Sequence, residues 1–236
     1  MNSKYLEMDG VLDQLEEAIR EERPFSLVRV GDGENIVMSQ ETVWTTEQVL
    51  QERWAIKANL GQKGLTLPNL QLRDEVAASL QRADLVGVLP YGDSSIKAPD
   101  HLKRPLTDMV FAHFGISPAL TCHACVNREL AQTPRFWEML AGKRILLVTR
   151  ELEALHNTLM REPYHLNIAA ALPFDRWEEM GETLQWIQTN PDAFDIALFC
   201  CGVNAVVLAE RTAALTGKVA IDFGKANNII LKGRAN

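Results

Sequence analysis

Two carboxylates stand two residues apart between glycines, in Gly31-Asp32-Gly33-Glu34, directly after the apolar run 25–30, Phe-Ser-Leu-Val-Arg-Val. Such a run reads as a short core strand, and residues 35–40 restart as a helix. Carboxylates at the end of a core strand cost desolvation free energy unless they hold something cationic. Asp32 and Glu34 offer hard oxygen ligands of the kind Mg2+ or Mn2+ takes, with positions left for phosphate oxygens and water. The same residues admit a second reading without a metal, in which Asp32 caps the helix and Glu34 favours its dipole. Arg29 then pairs with one of the two acids.

Gly31 and Gly33 also begin a dinucleotide-type glycine loop, but Ile36 stands where the third glycine belongs. A pyrophosphate on a helix N-terminus wants bare amides, and two carboxylates repel it. A divalent cation between them reverses that sign.

The elements that must position this loop follow from hydrophobic patterning. Leu6, Val11, Leu12, Leu15 and Ile19 predict an amphipathic helix over residues 6–22, stopped by Pro24. Apolar runs at 84–89, 143–149, 195–201 and 218–223 predict strands, with a further strand at 120–126 and an ambiguous stretch at 166–172. Between them lie predicted helices: one capped by Thr45 or Thr46 and running to about residue 57, then 69–82, 101–114, 133–141, 151–161, 175–189 and 205–216, the last ended by Gly217. This alternation predicts an α/β fold: a single Rossmann-like domain over residues 1–236, with a mostly parallel sheet flanked by helices on both faces. Ligands of such a sheet bind beyond the carboxyl ends of its strands, which selects the loops 31–34, 90–95, 149–151, 202–204 and 224–228. Gly202 permits a tight turn and close approach of a ligand to backbone amides. Asn204 is either the N-cap of the helix that follows or a ligand contact. Trp44 and Trp54 lie near the first loop, where they either stack on a base or sugar or pack in the core.

Composition narrows the class. The chain has 236 residues, 47% of them hydrophobic and 23% charged, with a formal net charge of -7, which argues against a nucleic-acid binder with a basic face. No apolar run reaches the length of a membrane span, and the N-terminus lacks the basic start and apolar core of a signal peptide. Cys122, Cys125, Cys200 and Cys201 read as buried thiols of a reducing compartment, so the expected location is cytoplasmic. The C-x-x-C spacing of Cys122 and Cys125 has no second pair at zinc spacing.

Arg29-Val30-Gly31-Asp32-Gly33-Glu34 resembles the R-x-G-D-G-E signature of GT-D-type glycosyltransferases, in which an Asp-x-Glu pair replaces Asp-x-Asp. Residues 194–224 resemble the same family's C-terminal βαβ unit: a strand ending at the Gly202 turn, a helix, and a strand ending in Asp222-Phe223-Gly224. The resemblance implies a metal-dependent hexosyltransferase that moves a sugar from a nucleotide diphosphate-sugar, a UDP-sugar first, to a hydroxyl of a glycan or other glycosylated acceptor, with Mn2+ or Mg2+. By carry-over, Asp32 and Glu34 form the metal and diphosphate centre. Arg29, Gly31, Gly33, Gly202, Asn204 and Lys225 belong to the donor side. One position departs: the family pattern places a histidine after Asp-x-Gly, and this chain has Lys225, which meets a phosphate as a point charge instead. An inverting transfer also needs a general base, for which Asp93 and Asp222 are the candidates. For Asp93 the competing reading is turn chemistry in Gly-Asp-Ser-Ser. For Asp222 it is a strand-end residue bonded to backbone amides. Two rival functions use the same loop: a metal-dependent phosphohydrolase or nucleotide-handling enzyme, and a non-catalytic sugar-nucleotide-binding domain. A homo-oligomer is left open.

Overall fold

The computed structural model describes residues 3–234. Eight strands run β1 (Lys4–Tyr5), β2 (Phe25–Arg29), β3 (Leu85–Val88), β4 (Leu120–His123), β5 (Arg144–Thr149), β6 (Asn167–Pro173), β7 (Ile196–Cys200) and β8 (Val219–Asp222). The helices between them are α1 (Met8–Arg20), α2 (Asp32–Ser39), α3 (Thr46–Gln51), α4 (Arg53–Lys57), α5 (Leu70–Arg82), α6 (Arg104–Phe114), α7 (Val126–Leu130), α8 (Pro134–Leu140), α9 (Leu152–Leu159), α10 (Met180–Thr189), α11 (Asn204–Thr216) and α12 (Ala226–Lys232). The strands form one sheet in the order β1-β4-β3-β2-β8-β7-β5-β6, and every pairing is parallel.

Parallel strands buried on both faces need apolar residues at successive positions, and β2, β3, β7 and β8 have them. The period of two then divides the core. Val28 and Val30 face one layer, with side chains of α2, α5, α6, α10 and α11. Phe25 and Leu27 face the other, with α1, α8, α9 and α12. In the second layer Phe136 stacks on Phe223, ring centroids 5.5 Å apart, directly behind the end of β8.

Local signals set most helix ends. Thr45 caps α3 through a reciprocal pair with Gln48, and the Asn69 side chain accepts the Leu72 N–H at 2.8 Å to start α5. Gly217 ends α11 in the left-handed region at φ 70°. Four details depart from the sequence expectation. The single helix expected to residue 57 is broken at Glu52, whose backbone is extended. The helix expected from residue 175 begins as a 3-10 turn, Trp177–Glu179, ahead of α10. The ambiguous stretch at 166–172 is the outermost strand, β6, which needs no continuous apolar run because much of it meets solvent. Three short elements, β1, α7 and α12, have no expected counterpart; α7 begins at Val126, so the strand expected over 120–126 ends at His123 as β4.

Strand order locates the site. β2 and β8 are neighbours, yet the chain leaves them in opposite directions. After β2 it enters α2 in the Val28 layer, and after β8 it enters α12 in the Leu27 layer. This divergence opens a crevice at the carboxyl ends of the two central strands, where open α/β sheets bind ligands.

Candidate active site

The two sequence segments singled out above, 29–34 and 222–225, meet at this crevice, and one ion pair joins them. Arg29 Nη2 donates to Asp222 Oδ1 at 2.8 Å, and Nε donates to the Asp222 carbonyl at 3.1 Å. Its Nη1 donates to the Ala124 carbonyl and to Asn127 Oδ1, each at 3.2 Å. Arg29 therefore pairs with neither Asp32 nor Glu34, contrary to the metal-free reading, which paired it with one of them. It ties the ends of β2, β4 and β8 together. Burial works against its charge, but Asp222 outweighs burial and holds the guanidinium above its usual range. Two glycines make room for it. A Cβ on Gly224, whose φ is +43°, would lie 2.0 Å from Arg29 Nη2, and one on Gly87 would lie 3.1 Å from Arg29 Cγ. The spacing Asp-x-Gly thus has a physical reason: the aspartate binds the guanidinium and the glycine leaves it space.

Asp32 and Glu34 occupy the first turn of α2. Glu34 Oε2 accepts the Gly31 N–H at 2.8 Å, so the capping function expected of Asp32 belongs to Glu34, at the third helical position. Asp32, partly exposed, is left with no hydrogen bond or ion pair among the described residues. Burial, and next the charge of Asp222, push the Glu34 carboxyl up to about 7. Burial also pushes the Asp222 carboxyl up, even with Arg29 beside it, and its Oδ2 is buried without a hydrogen-bond partner. An unpaired carboxylate, a carboxyl poised near neutrality and an orphaned carboxylate oxygen amount to a deficit of positive charge. A hard divalent cation fits this donor set. Among the described residues no group of three or more His, Cys, Asp or Glu side chains is arranged to hold a metal. A cation here would thus take few protein ligands and fill its shell with phosphate oxygens and water, as Mg2+ commonly does.

Asp222 is fully buried with one oxygen committed to Arg29. Asp93 closes the turn that its sequence suggested. Its Oδ1 takes the Ser95 hydroxyl at 2.7 Å, its Oδ2 takes the Ser95 and Ile96 amides at 3.1 and 3.3 Å, and His123 Nε2 lies 3.4 Å from Oδ1. Burial raises the Asp93 carboxyl, but these hydrogen bonds outweigh it and hold the group below its usual value. A carboxylate so stabilised is a weak proton acceptor. Asp93 thus has the setting of a turn-forming carboxylate and Asp222 that of the buried partner of Arg29.

Asn204 is the first residue of α11, not its cap. Its Nδ2 donates to the Gly64 carbonyl at 3.0 Å, pinning the loop after α4 onto the Gly202 turn, and its Oδ1 is buried without a partner. Lys225 is exposed at the start of α12. Trp54 lies over the acidic loop, so close that a Cβ on Gly33 would sit 2.6 Å from its ring. Lys63 Nζ also lies over that indole, 5.8 Å from the ring centroid. Sequence reasoning passed over Lys63. Its only signal was a lysine beside a glycine in a stretch read as plain loop. The four cysteines are buried and unpaired, as expected of thiols. No helix among the described residues is long and apolar enough to cross a membrane.

The family comparison covers nearly all of this architecture. No curated protein and no solved structure matches the chain. The model of the GT-D fold-like domain matches residues 6–230, from the first residue after β1 into α12, and takes in both the acidic loop and the Asp-x-Gly turn. With that match over nearly its entire length, the chain belongs to the GT-D-like family and carries a glycosyltransferase-like fold.

Proposed function

We propose that the protein transfers a sugar from a nucleotide diphosphate-sugar, a UDP-sugar first, to a hydroxyl of a glycan acceptor, with Mn2+ or Mg2+ at Asp32 and Glu34. The observation that carries this reading is the uncompensated negative charge at the β2–β8 crevice of a GT-D-like domain. Breaking the bond between an anomeric carbon and a diphosphate builds negative charge on the leaving group. Bound at this site, a divalent cation supplies the charge that stabilises it. The chain's own residues prepare the place. Asp32 and Glu34 hold the cation. Arg29, spent on Asp222, Ala124 and Asn127, fixes the three strand ends instead of touching the diphosphate. Lys225 faces the phosphates as a point charge. Gly31, Gly33 and the Gly202 turn let backbone amides approach the donor.

The test is a thermal-shift screen of UDP- and GDP-sugars with and without Mn2+, followed by transfer assays on the sugar nucleotide that stabilises. The reading expects cation-dependent stabilisation by an intact sugar nucleotide and transfer of its sugar. Rapid phosphate release from the donor with no acceptor present, in place of transfer, would favour a phosphohydrolase instead.

A further inference from the structure

We propose that Lys63 is a donor-binding residue and forms, with Lys225, a two-lysine clamp on the diphosphate; this rests on the transferase reading above. The loop that carries Lys63 is held at several points. Asn59 brackets one end, donating to the Leu67 carbonyl at 3.0 Å and accepting its N–H at 2.7 Å. Gly64 is held in the middle, its carbonyl accepting both Asn204 Nδ2 at 3.0 Å and the Trp177 N–H at 2.9 Å. Gly64 has φ +71°, and a Cβ there would meet the Asp175 carbonyl at 2.8 Å, so the pinned loop requires glycine next to the lysine. A Cβ on Gly202 would lie 3.6 Å from the Lys63 carbonyl, which places the Lys63 backbone on the turn after β7.

From that anchor the Lys63 side chain runs to the face of Trp54, and Trp54 rests on Gly33 between the two acids. The ammonium thus stands against the indole that packs on the acidic loop, near enough for Asp32 and Glu34 to attract it. Among the described residues it makes no ion pair, and neither does Lys225. Lys63 lies on the turn after β7 and Lys225 lies just past the end of the neighbouring strand β8, so the two lysines flank the same crevice. Burial pulls the Lys63 ammonium below its usual value, repulsion from Lys225 adds to that, and attraction to Asp32 and Glu34 opposes it. Two neighbouring ammonium groups, one of them partly desolvated, are costly in the free protein. A diphosphate between them relieves their repulsion while its other oxygens face a cation on Asp32 and Glu34. The indole limits the rotamers of the lysine stem, so less entropy is lost on binding.

The test is calorimetric titration with inorganic pyrophosphate, UDP and GDP in the presence of Mg2+, using wild type, Lys63→Gln, Lys63→Arg and Lys143→Gln. Lys143 carries the same charge just before β5, at the amino ends of the parallel strands and so away from the crevice at their carboxyl ends. Lys63→Gln is expected to weaken pyrophosphate and nucleotide binding about tenfold, the scale of one charge-assisted contact. Lys63→Arg should stay within about threefold of wild type, and Lys143→Gln should match it. If wild type binds and Lys63→Gln binds equally well, the clamp is wrong and the transferase reading stands. If wild type binds none of the three, that reading falls and takes the clamp with it.

Discussion

At the scale of single residues, Glu34 gives the most direct handle. Its carboxyl titrates at about 7 in the folded chain against an ordinary 4.5, because burial and Asp222 disfavour its charge. The folded state therefore holds this proton more tightly than the unfolded state does. Its stabilising contribution is complete below about pH 4.5 and is lost as pH rises through about 7. In the absence of divalent cations, Glu34→Gln should gain stability relative to wild type across that window, by up to ~3 kcal/mol above pH 8. Urea titrations of both proteins at pH 4 to 8 read this out, and parallel curves would contradict it. The glutamine can still accept the Gly31 N–H, so the cap is kept. Asp32 and Glu34 were legible in the sequence because their chemistry is local: two acids between glycines at a strand end. The Arg29–Asp222 pair was not, since 193 residues separate the partners and only strand order brings them together. Lys63 was hidden for a similar reason. Its direction depends on Asn204 and Trp177, both far along the chain.

At the scale of elements, the ends of β2, β4 and β8 are joined through one guanidinium, and the glycines around it can be tested. Gly224→Ala puts a Cβ 2.0 Å from Arg29 Nη2, forcing Arg29 off Asp222. Breaking a buried pair in this way should cost about 3–5 kcal/mol. Gly92→Ala is the matched control. Gly92 also has positive φ, at +70°, but nothing lies within 4 Å of its Cβ, so only the backbone cost of about 1–2 kcal/mol applies. Equal urea midpoints for the two variants would contradict the clamp around Arg29. A second pair tests the contact between α2 and α4. Gly33→Ala collides with Trp54 at 2.6 Å and should cost about 1–3 kcal/mol. In a Trp54→Ala background the cost should vanish or reverse, since alanine favours a helix. An additive cycle would count against the packing. The cap at Thr45 and the stop at Gly217 were legible at this scale because both act on their own backbone, whereas Asn69, read as the first helical residue, is the cap of α5. The two-residue β1, made of exposed Lys4 and Tyr5, was not, because its pairing with β4 leaves no apolar pattern to read.

At the scale of the whole molecule, eight parallel strands separate two apolar layers, and the central strands contribute to both. The α/β class followed from the alternation of apolar runs and helices. Strand order did not, since it is set by which helix packs on which face. Because the layers share strands, they should unfold together. Variants keeping only Trp137, in the Leu27 layer, or only Trp186, in the Val28 layer, should give coincident fluorescence melting curves, and separated midpoints would show two cooperative units. The same strand order sets the acidic loop against the Asp-x-Gly turn, and the whole account depends on what that crevice binds. The most direct test is titration of wild type and Asp32→Ala with UDP- and GDP-sugars, with and without Mn2+. Wild type should bind at least one of them only when Mn2+ is present, and Asp32→Ala should lose that cation-dependent binding while melting within a few degrees of wild type. Binding by Asp32→Ala equal to wild type, or wild-type binding indifferent to Mn2+, would contradict the central claim.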